Sequence, residues 1–286
     1  MNAATPVSVA QPRPLTLRRV IVGVGLAVAG VGSVFEPIAF YVVILAIGLS
    51  SLYELSRLCD RKGQPLEYQV AFIGVLGYIV LSVFEQLSKW EGALLAFIVL
   101  AAFWLGMYGE QKGYFARTAY TLLAVLYIGK LLTYFIFIRQ MPPVDGHDAG
   151  LSWTLFVIVL IALTDTLAMV VGSVFGRTRL TKISPKKTVE GSGGALLLVT
   201  AIGAFLATTP FVGMQWWQGA ALAAATSLAA QAGDLVESAL KRDAGVKDTG
   251  TVIQGHGGVL DRFDSYLFGG MAFYGMLHLV GLLPFG

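Results

Sequence analysis

The sequence predicts an all-α integral membrane protein, a polytopic helical bundle of about nine transmembrane helices with its N-terminus in the cytoplasm. Three observations predict it. Hydrophobic residues make up 56% of the 286, charged residues only 13%, and the mean hydropathy is +0.73, whereas about a quarter of a soluble domain is charged. Apolar runs of spanning length recur along the whole chain, near 20–35, 37–53, 68–84, 92–108, 118–138, 152–175, 192–214, 219–240 and 263–283. With the N-terminus inside, 17 of the 20 Lys and Arg residues fall on the cytoplasmic side, leaving Lys89 and Arg139 outside and Lys130 within a span. That asymmetry obeys the positive-inside rule and supports both span count and orientation.

Taken in order, residues 1–17 hold Pro6, Pro12 and Pro14 and read as a disordered tail. The first 19 residues lack an acid and precede an apolar run, a pattern shared with cleaved signal peptides, but the charge alternation downstream calls for a retained first span. Glu36-Pro37 joins the first two spans as a tight hairpin, and Glu54 closes the second as an interfacial anchor. Lys130, in the fifth span, either pairs with Asp165 across the bundle or snorkels to the interface. These five spans form an N-terminal region, 1–150. The C-terminal region, 151–286, carries four more spans and two cytoplasmic loops, 177–190 and 241–262, with Trp216 and Trp217 as an outer interfacial belt. A single cysteine, Cys59, excludes an internal disulfide, and three scattered histidines exclude a His/Cys metal site. Carboxylates remain as ligands for a hard cation.

Residues 234–264 concentrate the chemistry, with six of the chain's 17 acids: Asp234, Glu237, Asp243, Asp248, Asp261 and Asp264. Lys241, Arg242, Lys247 and Arg262 lie among them. Such charge at a bilayer face is costly unless it serves a charged ligand or metal. Asp234, Glu237, Ser238 and Lys241 recur at helical spacing and share one stripe, opposite Leu235, Val236, Ala239 and Leu240. After that helix, Gly245, Gly250, Gly255, Gly257 and Gly258 form a loop whose backbone N–H groups can turn toward an anion. Lys247 and His256 add donors, and the next helix opens with Asp261, Arg262 and Asp264.

A second polar patch surrounds the sixth span. Asp165 sits in apolar sequence, followed by Ala168, Gly172 and Gly176, a small-residue stripe suited to close helix contact. The loop RTRLTKISPKKTVEGSGG then carries five cations and one acid, Glu190, which places Lys186 and Lys187 to meet phosphates. A basic loop also serves as a topogenic signal or a contact for anionic headgroups. No GxxxxGK[ST] motif occurs.

These residues resemble the signature of the phosphatidate cytidylyltransferases, or CDP-diacylglycerol synthases. It is carried by Ser238, Leu240, Lys241, Arg242, Lys247, Asp248, Gly250, Ile253, His256, Gly257, Gly258, Val259, Asp261, Arg262, Phe263 and Asp264. Gly233-Asp234-Leu235, Asp165-Thr166 with Gly172, Phe175 and Gly176, and Ser184-Pro185-Lys186-Lys187-Thr188 with Glu190-Gly191 are similar to further family elements. Departures are Gln254, where Pro or a small residue is usual, Thr164 in place of Asn, and Met169 in place of an aromatic.

The resemblance implies transfer of the cytidylyl group of CTP to phosphatidate, giving CDP-diacylglycerol and pyrophosphate. It implies a catalytic set of Asp234, Asp261, Lys241 and Asp264. Asp234 and Asp261, on different helices, would be the metal ligands, with Asp165 and Asp264 as the next candidates. Substrate binding falls to Asp165, Ser184, Lys186, Lys187, Ser238, Arg242, Lys247, Asp248, His256, Gly257, Gly258 and Arg262. The expected cofactor is Mg²⁺, with a monovalent cation such as K⁺ as a candidate second ion. The expected partners are CTP, phosphatidate in the membrane and a second copy in a homodimer, with no nucleic acid. The expected location is a bacterial-type inner membrane, with the site facing the cytoplasm. Rival readings are another CTP-dependent lipid enzyme, such as a polyprenol kinase or a CDP-archaeol-type synthase, and a secondary transporter.

Overall fold

The computed structural model of the chain describes residues 25, 28–108, 113–144, 146–250 and 257–283. Among them helix is the only regular structure beyond two isolated bridges, Val144 to His147 and Arg179 to Thr188. Of the first expected span, 20–35, residues 20–24, 26 and 27 lie outside the described residues.

Helix α1, Pro37–Arg61, starts on Pro37, with the Glu36 side chain accepting from the Ala39 N–H at 2.7 Å. It runs eight residues past the expected end at 53, because the all-round apolar run gives way to a one-sided pattern that buries Leu55, Leu58 and Cys59 together with Glu54. Helices α2, Tyr68–Val83, and α3, Leu87–Gly106, meet at a tight reversal where Glu85 adopts φ 56°. Helix α4, Tyr114–Ala124, passes through a π-helical segment, Val125–Lys130, into α5, Leu131–Arg139. Within that segment Gly129 faces α2 so closely that a Cβ there would stand 3.0 Å from the Val75 Cα.

Helix α6, Ala149–Phe175, is capped by Asp148, which accepts from the Leu151 N–H at 2.8 Å. Thr188 caps α7, Val189–Ala207, and a Gln215/Gln218 capping box opens α8, Trp216–Asp243. Helix α9 is Leu260–Leu279. Helix α8 is central to this half, packed against α7 and α9, while α7 rests on α6; α5 and α1 join the N-terminal helices to α9. The α7–α8 crossing is glycine on glycine: a Cβ on Gly219 would meet the Gly203 carbonyl oxygen at 2.6 Å. Such approach lets helices pack where lipid supplies no hydrophobic drive.

Among the described residues five helices are long and apolar enough to cross a membrane, namely α1, α3, α4–α5 as one, α6 and α7, while the apolar α2 is shorter. Helices α8 and α9 have 28 and 20 residues, but polar side chains dilute them. Those side chains face inward, since Thr226, Ser227, Gln231, Glu237, Asp264 and Ser265 are all buried. The polar stripe of α8 thus faces protein, and Val236 on the opposite side is 40% exposed.

Candidate active site

The site forms where the C-terminal end of α6, the N-terminus of α7, the second half of α8 and the first turns of α9 converge. The small-residue stripe on α6 makes the first contact. A Cβ on Gly191 would stand 2.6 Å from the Ala168 carbonyl oxygen, and one on Gly172 would stand 2.9 Å from Thr188 Oγ1, so the two helices meet backbone to backbone. On the other flank a Cβ on Gly233 would sit 2.5 Å from the Asp264 carbonyl oxygen, which fixes Asp234 beside α9.

The segment between α6 and α7 folds back on itself. The Leu180 N–H donates to the Lys187 carbonyl at 2.8 Å and the Val189 N–H to the Thr178 carbonyl at 2.9 Å. Glu190, in the first turn of α7, accepts the N–H groups of Arg177 and Thr178, each at 3.1 Å. Glu190 is therefore a tether for the basic loop. Held in this way, Ser184, Lys186 and Lys187 close over a cleft of about 420 Å³, whose other walls include Asp165, Ser192, Gln231 and Asp234. That volume suits a bound small molecule.

In the cleft, Lys187 pairs with Asp234, and Ser238 Oγ lies 3.4 Å from Asp234 Oδ1. Asp165 accepts from Ser265 Oγ at 3.2 Å. Buried Asp264 caps its own backbone, accepting the Ser265 N–H at 2.7 Å. Asp165, Asp234 and Asp264 come from three different helices and stand within electrostatic range of one another.

A second cluster adjoins the first. Lys241 pairs with Glu237, which is fully buried, and with Asp261 at 2.7 Å. Asp261 Oδ2 also accepts the N–H groups of Thr249 at 3.0 Å and Gly258 at 2.8 Å. Gly257, at φ 88°, makes the turn that lets Asp261 reach back. Asp261 does not line the cleft that holds Asp234. The clusters communicate through Glu237 and Lys241, both in electrostatic range of Asp264.

The remaining expected site residues are more peripheral. Arg242 is exposed and donates to the Val246 carbonyl at 3.1 Å, while Lys247, Asp248 and Arg262 are exposed on the same side. His256 lies outside the described residues. The helices also trim both expected loops, since α7 begins at Val189, α8 runs to Asp243 and α9 begins at Leu260.

Two expectations are corrected. Lys130 does not meet Asp165: it pairs with Glu91 and stands 5.8 Å from the Tyr78 and Tyr134 ring centroids, because the π-helical segment turns it toward α2 and α3. Glu54 is no interfacial anchor. It is 1% exposed, inside α1, and accepts from the Val259 and Leu260 N–H groups at 2.8 Å each and from Thr249 Oγ1 at 3.2 Å. In the glycine-rich loop the N–H groups of Thr249, Gly258, Val259 and Leu260 go to the internal carboxylates of Asp261 and Glu54, while residues 251–256 lie outside the described residues. Sequence reasoning put Glu237 on the inward stripe of α8 without naming it a site residue, and it missed Gln231, which stands three residues before Asp234 on the same stripe and which the same spacing could have found.

The chain is similar to known proteins over most of its length. The model of the cytidylyltransferase family matches residues 16–280. A phosphatidate cytidylyltransferase of Bacillus subtilis is 32% identical over 264 residues, covering 88% of this chain and 93% of that protein. Phosphatidate cytidylyltransferase 5, chloroplastic, of Arabidopsis thaliana is 32% identical over 287 residues, covering 91% and 71%. A phosphatidate cytidylyltransferase of Staphylococcus epidermidis is 33% identical over 246 residues, covering 82% and 90%. With its matched span taking in every helix that builds the cleft, the chain belongs to the cytidylyltransferase family.

Proposed function

We propose that this chain transfers the cytidylyl group of CTP to phosphatidate, giving CDP-diacylglycerol and pyrophosphate. The observation that carries the proposal is the cleft itself, where Lys186 and Lys187 face Asp165 and Asp234 at one end of the helices. A membrane carrier built on the same charges would place them near the midplane.

Two anions must be brought together. The phosphate oxygen of phosphatidate carries negative charge near neutral pH and needs no strong base. It attacks the α-phosphorus of CTP, the new P–O bond forms, the α–β bridging bond breaks, and pyrophosphate leaves with the electron pair. Lys186 and Lys187 hold the triphosphate and offset the charge that builds on the leaving group. Lys187 exchanges its Asp234 partner for phosphate oxygens as CTP enters. Lys241, fixed by Glu237 and Asp261, presents its charge toward the lipid phosphate.

The donor set suits Mg²⁺, which takes one or two carboxylates and leaves its other positions to phosphate oxygens and water. Among the described residues no three His, Cys, Asp or Glu side chains group as a ligand set. Asp165 and Asp234, sharing the cleft, fit best. Asp261, the second expected ligand, already accepts from Lys241, Thr249 and Gly258 and is less free to take a cation. Bound there, Mg²⁺ would offset phosphate repulsion and align attack and departure. A second ion such as K⁺ and a homodimer belong to the same proposal.

Nine spans with the N-terminus inside put this cleft on the cytoplasmic side, where CTP arrives from water and phosphatidate presents its headgroup while its acyl chains stay in lipid. The test is product analysis of the purified chain in detergent with phosphatidate, Mg²⁺ and CTP labelled at the α-phosphate. The label should pass into solvent-extractable lipid, with one pyrophosphate per turnover. CDP with unlabelled lipid would identify a kinase instead, and ion flux without CTP a carrier.

A further inference from the structure

Helix α1 lies outside the sequence signature, yet it sends a buried carboxylate into the catalytic loop. Glu54 accepts the N–H groups of Val259 and Leu260, one on each oxygen at 2.8 Å, and the Thr249 hydroxyl at 3.2 Å. A carboxylate that is 1% exposed is strongly unfavourable without such donors. These are charge-assisted bonds at the positive end of a helix. Val259 makes no side-chain cap of its own, so Glu54 caps α9 from another helix.

Two glycines of the signature exist for this contact. A Cβ on Gly250 would stand 2.8 Å from Glu54 Oε1, and one on Gly258 would collide with Glu54 Oε2 and Thr249 Oγ1. The same backbone also holds Asp261, through the N–H groups of Thr249 and Gly258. Thr249 therefore serves both carboxylates, its hydroxyl on Glu54 and its N–H on Asp261. Two turns further along α1, Lys62 pairs with Asp243 at the end of α8, so α1 grips the loop at both of its ends.

We propose that Glu54 is a positioning residue for cytidylyl transfer: by capping α9 from α1 it sets the loop that aims Asp261 and Lys241. This rests on the function proposed above. Its amide analogue is close to isosteric but turns an NH₂ toward a backbone N–H, so Glu54→Gln should disorder the cap without opening a cavity. Glu54→Asp keeps the charge and should restore part of the effect.

The experiment uses the full chain in detergent, comparing wild type, Glu54→Gln, Glu54→Asp and Gly258→Ala. It reads pyrophosphate release per folded molecule, KM for CTP, thermal unfolding, and amide hydrogen exchange at residues 257–260. Glu54→Gln should lower kcat by about 10- to 100-fold, the effect of a small misplacement of catalytic groups. The KM for CTP should stay within about threefold, since the Lys186 and Lys187 cleft is separate. Exchange at Val259 and Leu260 should quicken, Gly258→Ala should reproduce these changes, and Glu54→Asp should recover much of kcat. Unchanged kcat with quickened exchange would overturn the proposal. So would activity that falls only in step with the folded fraction. A wild type that releases no pyrophosphate would overturn the function reading and the positioning role with it, whereas unchanged exchange in Glu54→Gln would refute the contact alone.

Discussion

At the scale of single residues, the chemistry depends on which charges are already partnered. Lys187 has Asp234 and Lys241 has Glu237 and Asp261, so each cation is aimed before substrate binds. Replacing Lys187 by Ala should raise the KM for CTP by about tenfold, the value of one strong charge-assisted bond to phosphate; steady-state kinetics at saturating phosphatidate would show it. Lys130 gives the contrasting case. Its partner is Glu91, away from the cleft, so Lys130→Met should leave kcat and KM at wild-type values and lower the unfolding temperature slightly. Loss of activity at full folded yield would restore its link to Asp165.

Among elements, the glycines decide how near the helices come. The Gly203–Gly219 contact seats α7 on α8. Gly203→Leu should therefore cost about 1–3 kcal/mol, as overpacking does, and lower the unfolding temperature in detergent along with activity. The basic loop depends on Glu190. Glu190→Ala should leave α7 folded, free Lys186 and Lys187 to wander, and raise the KM for CTP more than it lowers kcat. The face formed by Asp234, Glu237, Ser238 and Lys241 was legible in the sequence because helical spacing fixes it, and the stripe of Ala168, Gly172 and Gly176 was legible for the same reason. The role of Glu54 was not, since its partners lie 195 to 206 residues away. No local pattern encodes a carboxylate capping a distant helix. The length of α1 was misread where its pattern changes from all-round to one-sided, and the π-helical turn that redirects Lys130 leaves no mark on hydropathy.

Across the whole molecule, the N-terminal helices brace the catalytic group of α6–α9 through α1 and α5, and every carboxylate in the cleft comes from a different helix. The all-helical membrane character followed from composition, because apolar content and charge asymmetry are global properties that survive errors in boundaries. Orientation can be checked with cysteine variants: Cys59 is buried, so Lys182→Cys should react with an impermeant thiol reagent only from the cytoplasmic side and Trp216→Cys only from the opposite side. In the proposed reaction, carboxylates converging from separate helices act beside Lys186 and Lys187 in nucleotide transfer. Its most direct test is the rate of Mg²⁺-dependent pyrophosphate release by Asp234→Asn beside wild type, at matched folded protein. The expected result is a loss of at least about 100-fold, the scale of removing a group that stabilises charge at the reacting centre, together with complete inhibition of wild type by a chelator. Release within about threefold of wild type, a difference too small for such a group, would contradict it.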